Sequence, residues 1–148
     1  MPSRDGTRRY PYPAYDADRT GLVRVSTLEF FVFNEGWHTA EELRSEILLE
    51  KWPALFPFSK AISIRFLRYT RSGLLERRRK GHHYGYAITM KGERRWIYLL
   101  RSRGLLDPQR AGTLEEKNLV STRREAVETI LEKHKANLEE KLRRISVN

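Results

Sequence analysis

Ser59, Gly73, Gly81 and Thr89 divide the middle of the chain into pieces that leave few ways to fold. Ser59 precedes an apolar series at helical spacing and is placed to cap a helix. Gly73 ends that run, because the residue after a helix often takes a left-handed conformation that glycine adopts without steric cost. Leu74-Leu75-Glu76-Arg77-Arg78 then reads as a strand, Lys80-Gly81-His82-His83 as its turn, and Tyr84-Gly85-Tyr86-Ala87-Ile88 as the returning strand. Thr89 opens the next helix. The stretch is therefore expected to form a helix, a two-stranded hairpin with a basic tip, and a second helix.

Within the helix 59–72 the faces are sharply divided. At about 100° per residue, Ile62, Phe66 and Tyr69 share one side with Leu67 at its edge. Lys60, Ile64, Arg68 and Arg71 lie roughly opposite. The hairpin adds four consecutive cations, Arg77 to Lys80. Like charges packed at a turn repel one another unless an anion neutralises them.

The whole chain has the same bias. Its 29 Lys and Arg against 19 Asp and Glu give a formal charge of +10 over 148 residues. A field of that sign attracts polyanions, with nucleic acid first and an anionic membrane surface second. There is no cysteine, which excludes disulfides and Cys-based zinc fingers. The four histidines, His38, His82, His83 and His134, lack paired ligand spacing, so no metal site and no cofactor is expected. No apolar run approaches the roughly 20 residues of a membrane span. The N-terminus lacks a signal-peptide core, so a cytoplasmic, nucleoid-associated protein is expected.

The flanks supply a scaffold. Residues 1–21 read as a flexible basic arm, with Tyr10-Pro11-Tyr12-Pro13 favouring extended backbone. Ser26-Thr27-Leu28-Glu29 has the form of a capping box and is expected to start the first helix, which Gly36 ends. Trp37 and His38 leave room for one short strand. Thr39-Ala40-Glu41-Glu42 is a second capping box and opens a helix that stops before Pro53. In the fourth helix Trp96, Leu99 and Leu100 are apolar anchors, with Glu93, Arg94 and Arg95 toward solvent. Beyond a linker at 107–112, Thr113-Leu114-Glu115-Glu116 and Thr122-Arg123-Arg124-Glu125 both resemble caps, so either one long helix or a short and a long one is expected. Val120, Val127, Ile130, Leu131, His134, Leu138 and Ile145 form an apolar stripe with heptad elements. Coiled-coil pairing with a second copy is the economical cover; folding back on the same chain is the alternative.

The order helix, bridge, helix, helix, strand, hairpin, strand, helix resembles a winged helix-turn-helix. Phe66-Leu67-Arg68-Tyr69-Thr70-Arg71-Ser72-Gly73-Leu74-Leu75 is similar to the end of a recognition helix in that fold. Tyr86-Ala87-Ile88-Thr89-Met90-Lys91-Gly92 is similar to the start of the helix after the wing in PadR-like and MarR-like regulators. The resemblance covers about Ser26 to Leu100 and implies DNA binding. PadR-like proteins also carry a dimerising helical segment after the wing.

These readings converge on an α+β, mainly α, fold. It comprises an arm (1–21), a winged-helix DNA-binding domain with a two- to three-stranded wing sheet (22–106), and a C-terminal helical dimerisation segment (113–148). The expected partners are double-stranded DNA and a second copy of the chain, as in a transcriptional regulator. Ser59, Lys60, Ser63, Ile64, Arg68 and Arg71 would face the major groove, and Arg78, Arg79, Lys80, His82 and His83 the backbone or minor groove. A low-specificity architectural, plasmid-partition or replication protein is the second reading. A winged-helix protein–protein adaptor is the third. No phosphate loop, nucleophile elbow or metal-ligand cluster is present, so catalysis is not expected.

Overall fold

The computed structural model describes residues 13–49 and 59–147, with side chains described for 23–45 and 62–146. Residues 1–12 of the expected arm (1–21), the connection 50–58, and the side chains of Ser59 and Lys60 lie outside the described residues, while residues 13–21 belong to the first helix. The elements are α1 (Pro13–Phe33), α2 (Ala40–Leu49), α3 (Ser59–Arg71), β1 (Leu75–Lys80), β2 (His83–Ile88), α4 (Met90–Ser102), a 3-10 turn at Pro108–Arg110, and α5 (Leu114–Val147). The chain is α+β and mostly helical, with a two-stranded antiparallel sheet.

The first helix begins at Pro13, not near Ser26. The Ser26–Glu29 stretch is therefore interior helix. Thr27 Oγ1 donates back to the Val23 carbonyl at 2.7 Å, a bond a helical hydroxyl makes when it is not needed as a cap. Glu29, the acid expected to complete the box, is claimed by α5. Burial of Val23 and Val25 beside Leu28 and Phe31 extends the apolar face upstream, and a proline is well tolerated in a first helical turn.

The capping boxes at Thr39 and Thr113 and the cap at Thr89 form as expected. Thr39 and Glu42 make a reciprocal box, the Glu42 N–H donating to Thr39 Oγ1 and the Thr39 N–H to the Glu42 carboxylate, each at 3.2 Å. Thr113 and Glu116 do the same at 3.1 and 2.9 Å. Thr122 caps nothing: its hydroxyl donates to the Asn118 carbonyl, and α5 runs unbroken for 34 residues. Thr89 accepts from the Gly92 N–H and also donates to the carbonyls of Gly73 and Leu74, tying the end of α3 to the start of α4. That closeness requires Gly92. A Cβ there would fall 2.1 Å from the Leu74 carbonyl oxygen.

Phe31, Phe66 and Tyr86 meet edge to face beneath the sheet, at centroid distances of 5.2 and 4.9 Å. Around them the core gathers Leu28, Leu43, Ile62, Leu75, Trp96 and Leu100. The hairpin is in register from Leu75↔Ile88 to Lys80↔His83, so Arg79, Lys80 and His83 are strand residues and the turn is only Gly81-His82. His38 adds a single bridge to β2, exchanging both backbone bonds with Tyr86 at 2.9 and 2.8 Å.

The apolar stripe of α5 divides in two. Val120, Val127 and Ile130 are buried within the chain itself, and Val127 and Ile130 belong to the main core. His134 donates to a Glu93 carboxylate oxygen at 2.9 Å, and Lys133 to the other at 2.6 Å. Glu93 is thus buried under α5, not solvent-facing as its helical position suggested. These four stripe residues already have cover, which corrects their assignment to a dimer seam; fold-back is right for the first half of α5. Leu131, Leu138 and Ile145 remain open, at 42, 57 and 70% exposure.

Candidate nucleic-acid interface

Helix α3 is held by its inner face. Ile62, Phe66 and Tyr69 are buried, and Leu67 is half-buried at the edge. Anchoring three successive turns leaves the outer face little freedom to rotate. That outer face presents Ser63, Ile64, Arg68 and Arg71, all exposed. Ile64, 44% exposed, is the one large apolar side chain on it among the described residues.

The hairpin displays Arg77, Arg78, Arg79, Lys80, His82, His83 and Tyr84, all exposed. Opposite residues of an antiparallel pair share a face. Arg77, Arg79, Tyr84 and Tyr86 therefore lie on one side, and Arg78, Lys80, His83 and Gly85 on the other. Rings and backbone position the hairpin arginines. The Arg77 guanidinium lies 4.3 Å from the Tyr84 ring centroid, and that of Arg78 lies 5.0 Å from the Trp37 ring. Arg79 Nε donates to the Gly81 carbonyl at 3.2 Å. Among the described residues, no ion pair involves Arg68, Arg71 or Arg77–Lys80. Stacking costs an arginine none of its N–H donors, so its charge remains available to an outside anion.

Trp37, expected only to fill a short bridge, has a larger part in the hairpin. It packs across Gly85, where a Cβ would come within 3.2 Å of the Trp37 Cβ. An isolated glycine inside a strand is the sequence signal for such an approach.

His38 joins the hairpin to the helices. Its backbone bonds Tyr86. Its Nδ1 lies 2.7 Å from the Glu42 carboxylate, and its Nε2 lies 2.8 and 3.1 Å from the Asn34 and Glu35 carbonyls. Every partner is an acceptor, so both ring nitrogens are called on to donate, which only the imidazolium does. Burial, the largest influence, pulls the His38 pKa down, but the bonds to Glu42 and to the two carbonyls outweigh it and leave it above the usual value. The hydrogen bond from His38 in turn holds the Glu42 pKa below the ordinary carboxylate value.

No helix among the described residues is long and apolar enough to cross a membrane. No grouping of three or more His, Cys, Asp or Glu residues among them is arranged to hold a metal ion. Compared with known proteins, the chain matches no family model, no curated protein and no solved structure.

Proposed function

We propose that the chain is a homodimeric winged helix-turn-helix protein that binds double-stranded DNA, as a transcriptional regulator does. One observation carries the reading: the hairpin's Arg77, Arg78 and Arg79 are held by aromatic rings and backbone, and no carboxylate neutralises them, Lys80, or Arg68 and Arg71 on α3 among the described residues. The order of elements supports it, with the single His38 bridge lying beside β2 where a third strand of a wing sheet would run. On this reading α3 enters the major groove through Ser63, Ile64, Arg68 and Arg71, with Ile64 suited to a thymine methyl. Arg77, Arg78, Arg79 and Lys80 grip phosphates beside it. The hairpin's joint at His38 fixes how far the wing stands from α3.

Replacing Arg78, Arg79 and Lys80 together by glutamine tests this. Duplex affinity is expected to fall, and the log–log salt slope to become shallower by up to about 0.9 for each phosphate that is no longer neutralised. An unchanged slope overturns the wing assignment. A selected site bound about 10³-fold or more tighter than random duplex marks a regulator; equal affinities mark an architectural or partition role instead.

The second copy is assigned to the outer half of α5. Leu131, Leu138, Leu142 and Ile145 lie within one narrow arc at helical spacing, and are 42 to 70% exposed. Pairing this arc with its equivalent would set two half-sites at a fixed separation. Sedimentation should give a dimer for the native chain and a monomer for L138E/I145E. A native monomer at micromolar concentration rules the pairing out.

A further inference from the structure

A cleft of about 310 Å³ lies where α1, the end of α3 and the start of α4 meet. Its walls carry Arg24 from α1, Arg65 and Arg68 from α3, and Lys91 and Arg95 from α4, with Tyr69 and Ser72 between them. Among the described residues no carboxylate lines it. Another hollow of this chain is built differently. The space of about 350 Å³ between α1, β2 and α5 sets Lys133 against Glu35 and Glu93. Mixed charge of that kind needs no ligand, whereas cations converging from three helices repel one another until an anion joins them.

The site is organised as well as charged. The Arg24 and Arg65 guanidinium groups lie 5.7 and 6.0 Å from the Tyr69 ring centroid, and Arg65 also donates to the Tyr69 hydroxyl at 3.2 Å. Tyr69 is itself anchored in the core. The Nε of Arg24 is buried and has no hydrogen-bond partner among the described residues. Carbonyls at the end of α3 would repel an anion, but they are occupied. Ser72 Oγ donates to the Arg68 carbonyl at 2.9 Å, and Lys91 Nζ to the Ser72 carbonyl at 2.8 Å. The first turns of α4, which carry Lys91 and Arg95, add the positive end of a helix dipole. The volume is at the lower bound of small-ligand pockets, about 300 Å³. Planar guanidinium groups match the spacing of phosphate oxygens.

We infer that this cleft binds a phosphate group, with Arg24, Arg68 and Arg95 as its principal donors and Lys91 holding the α3 terminus in place. The phosphate belongs either to the backbone of a duplex reaching past α3 or to a phosphorylated small molecule. The site does not depend on the DNA reading above, since the same chemistry serves either source.

The test uses the full-length protein and the variant Arg24→Gln with Arg95→Gln, after thermal unfolding has shown that the variant folds. Inorganic phosphate is titrated at constant ionic strength, reading backbone amide shifts at Arg24, Ser72 and Arg95. Saturable shifts in the native chain, with affinity lowered about tenfold or more in the variant, are expected. In parallel, duplex binding is measured against salt for both proteins. A slope shallower by up to about 1.8 in the variant names the DNA backbone as the source. An unchanged slope with saturable phosphate binding names a small molecule. A shallower slope without saturation by free phosphate still supports the cleft, with DNA as its ligand. Equal phosphate binding by native and variant proteins, or no saturation together with an unchanged slope, overturns the site. If the native chain binds no duplex at all, the regulator reading fails and the phosphate titration alone decides the cleft.

Discussion

Arg123 on α5 and Arg78 on the hairpin bear the same guanidinium and use it differently. Arg123 makes a two-pronged bond to Glu29 on α1, at 2.6 and 3.1 Å, with both side chains almost out of solvent. Arg78 lies over Trp37 in the open, and no carboxylate pairs with it among the described residues. The α5 seam repeats the first pattern at Glu93, where Lys133 and His134 converge. The hairpin repeats the second at Arg77 and Tyr84. Where a cation meets a buried carboxylate, it joins two parts of one chain. Where it meets only rings and carbonyls, its charge is left for something outside. A net charge of +10 is therefore unevenly distributed in effect, concentrated on α3, the hairpin and the cleft behind them.

Substitutions can break that contrast, or sharpen it. The largest effect is expected within α3, where one helix carries both kinds of side chain. Phe66→Ala should cost about 3–5 kcal/mol in denaturant unfolding, because it empties a fully buried site. Ile64→Ala on the outer face should stay within about 0.5 kcal/mol and weaken only duplex binding. Next comes Arg123→Ala, which strands Glu29 at the α1–α5 seam and should cost about 3 kcal/mol. A loss below about 1 kcal/mol would show that α5 is held mainly by its buried apolar residues and the Glu93 contacts, not by the Arg123–Glu29 pair.

The His38–Glu42 joint gives a smaller, pH-dependent effect. Glu42 titrates below its ordinary 4.5, so its contribution is complete above that pH and is lost as pH falls through the folded value. His38 titrates above its ordinary 6.5, so its contribution is complete below that pH and is lost as pH rises through the folded value. The pair stabilises most between those two limits. The lead of the native chain over His38→Gln should shrink by about 0.5–1 kcal/mol between pH 6 and 9, allowing for screening at the half-exposed Glu42. A constant difference would mean that His38 is held as the neutral ring. Smallest of all, Arg78→Gln should change stability by no more than about 1 kcal/mol, the worth of an exposed cation–π contact.

Local chemistry was legible from residue order alone. A hydroxyl with an acid three positions later found its own backbone at Thr39 and Thr113. Gly73 and Gly81 adopt the positive φ values, 81° and 65°, that their places at a helix end and a hairpin turn implied. The two faces of α3 follow from a period of 3.6 residues, which needs no knowledge of what covers them. Ser26-Thr27-Leu28-Glu29 shows the limit of that reasoning. The same pattern became helix interior because Val23 and Val25 upstream found cover and Glu29 found Arg123, 94 residues away.

What only the tertiary structure decided are the matters that turn on a distant partner. Whether the stripe of α5 folds back or faces outward could not be read from its spacing, since both require the same apolar series. Packing within the chain covers Val120, Val127, Ile130 and His134 and leaves Leu131, Leu138 and Ile145 open. Glu93 has the local setting of a solvent-facing acid and becomes buried only because Lys133 and His134 arrive from α5. Likewise, nothing in the positions of Arg24, Arg68, Lys91 and Arg95 announces a common cleft; three helices must pack before these charges meet. Sequence determines periodicity, caps and total charge because these depend on neighbours a few residues away. Packing determines which charges are neutralised, because the partner lies elsewhere in the chain.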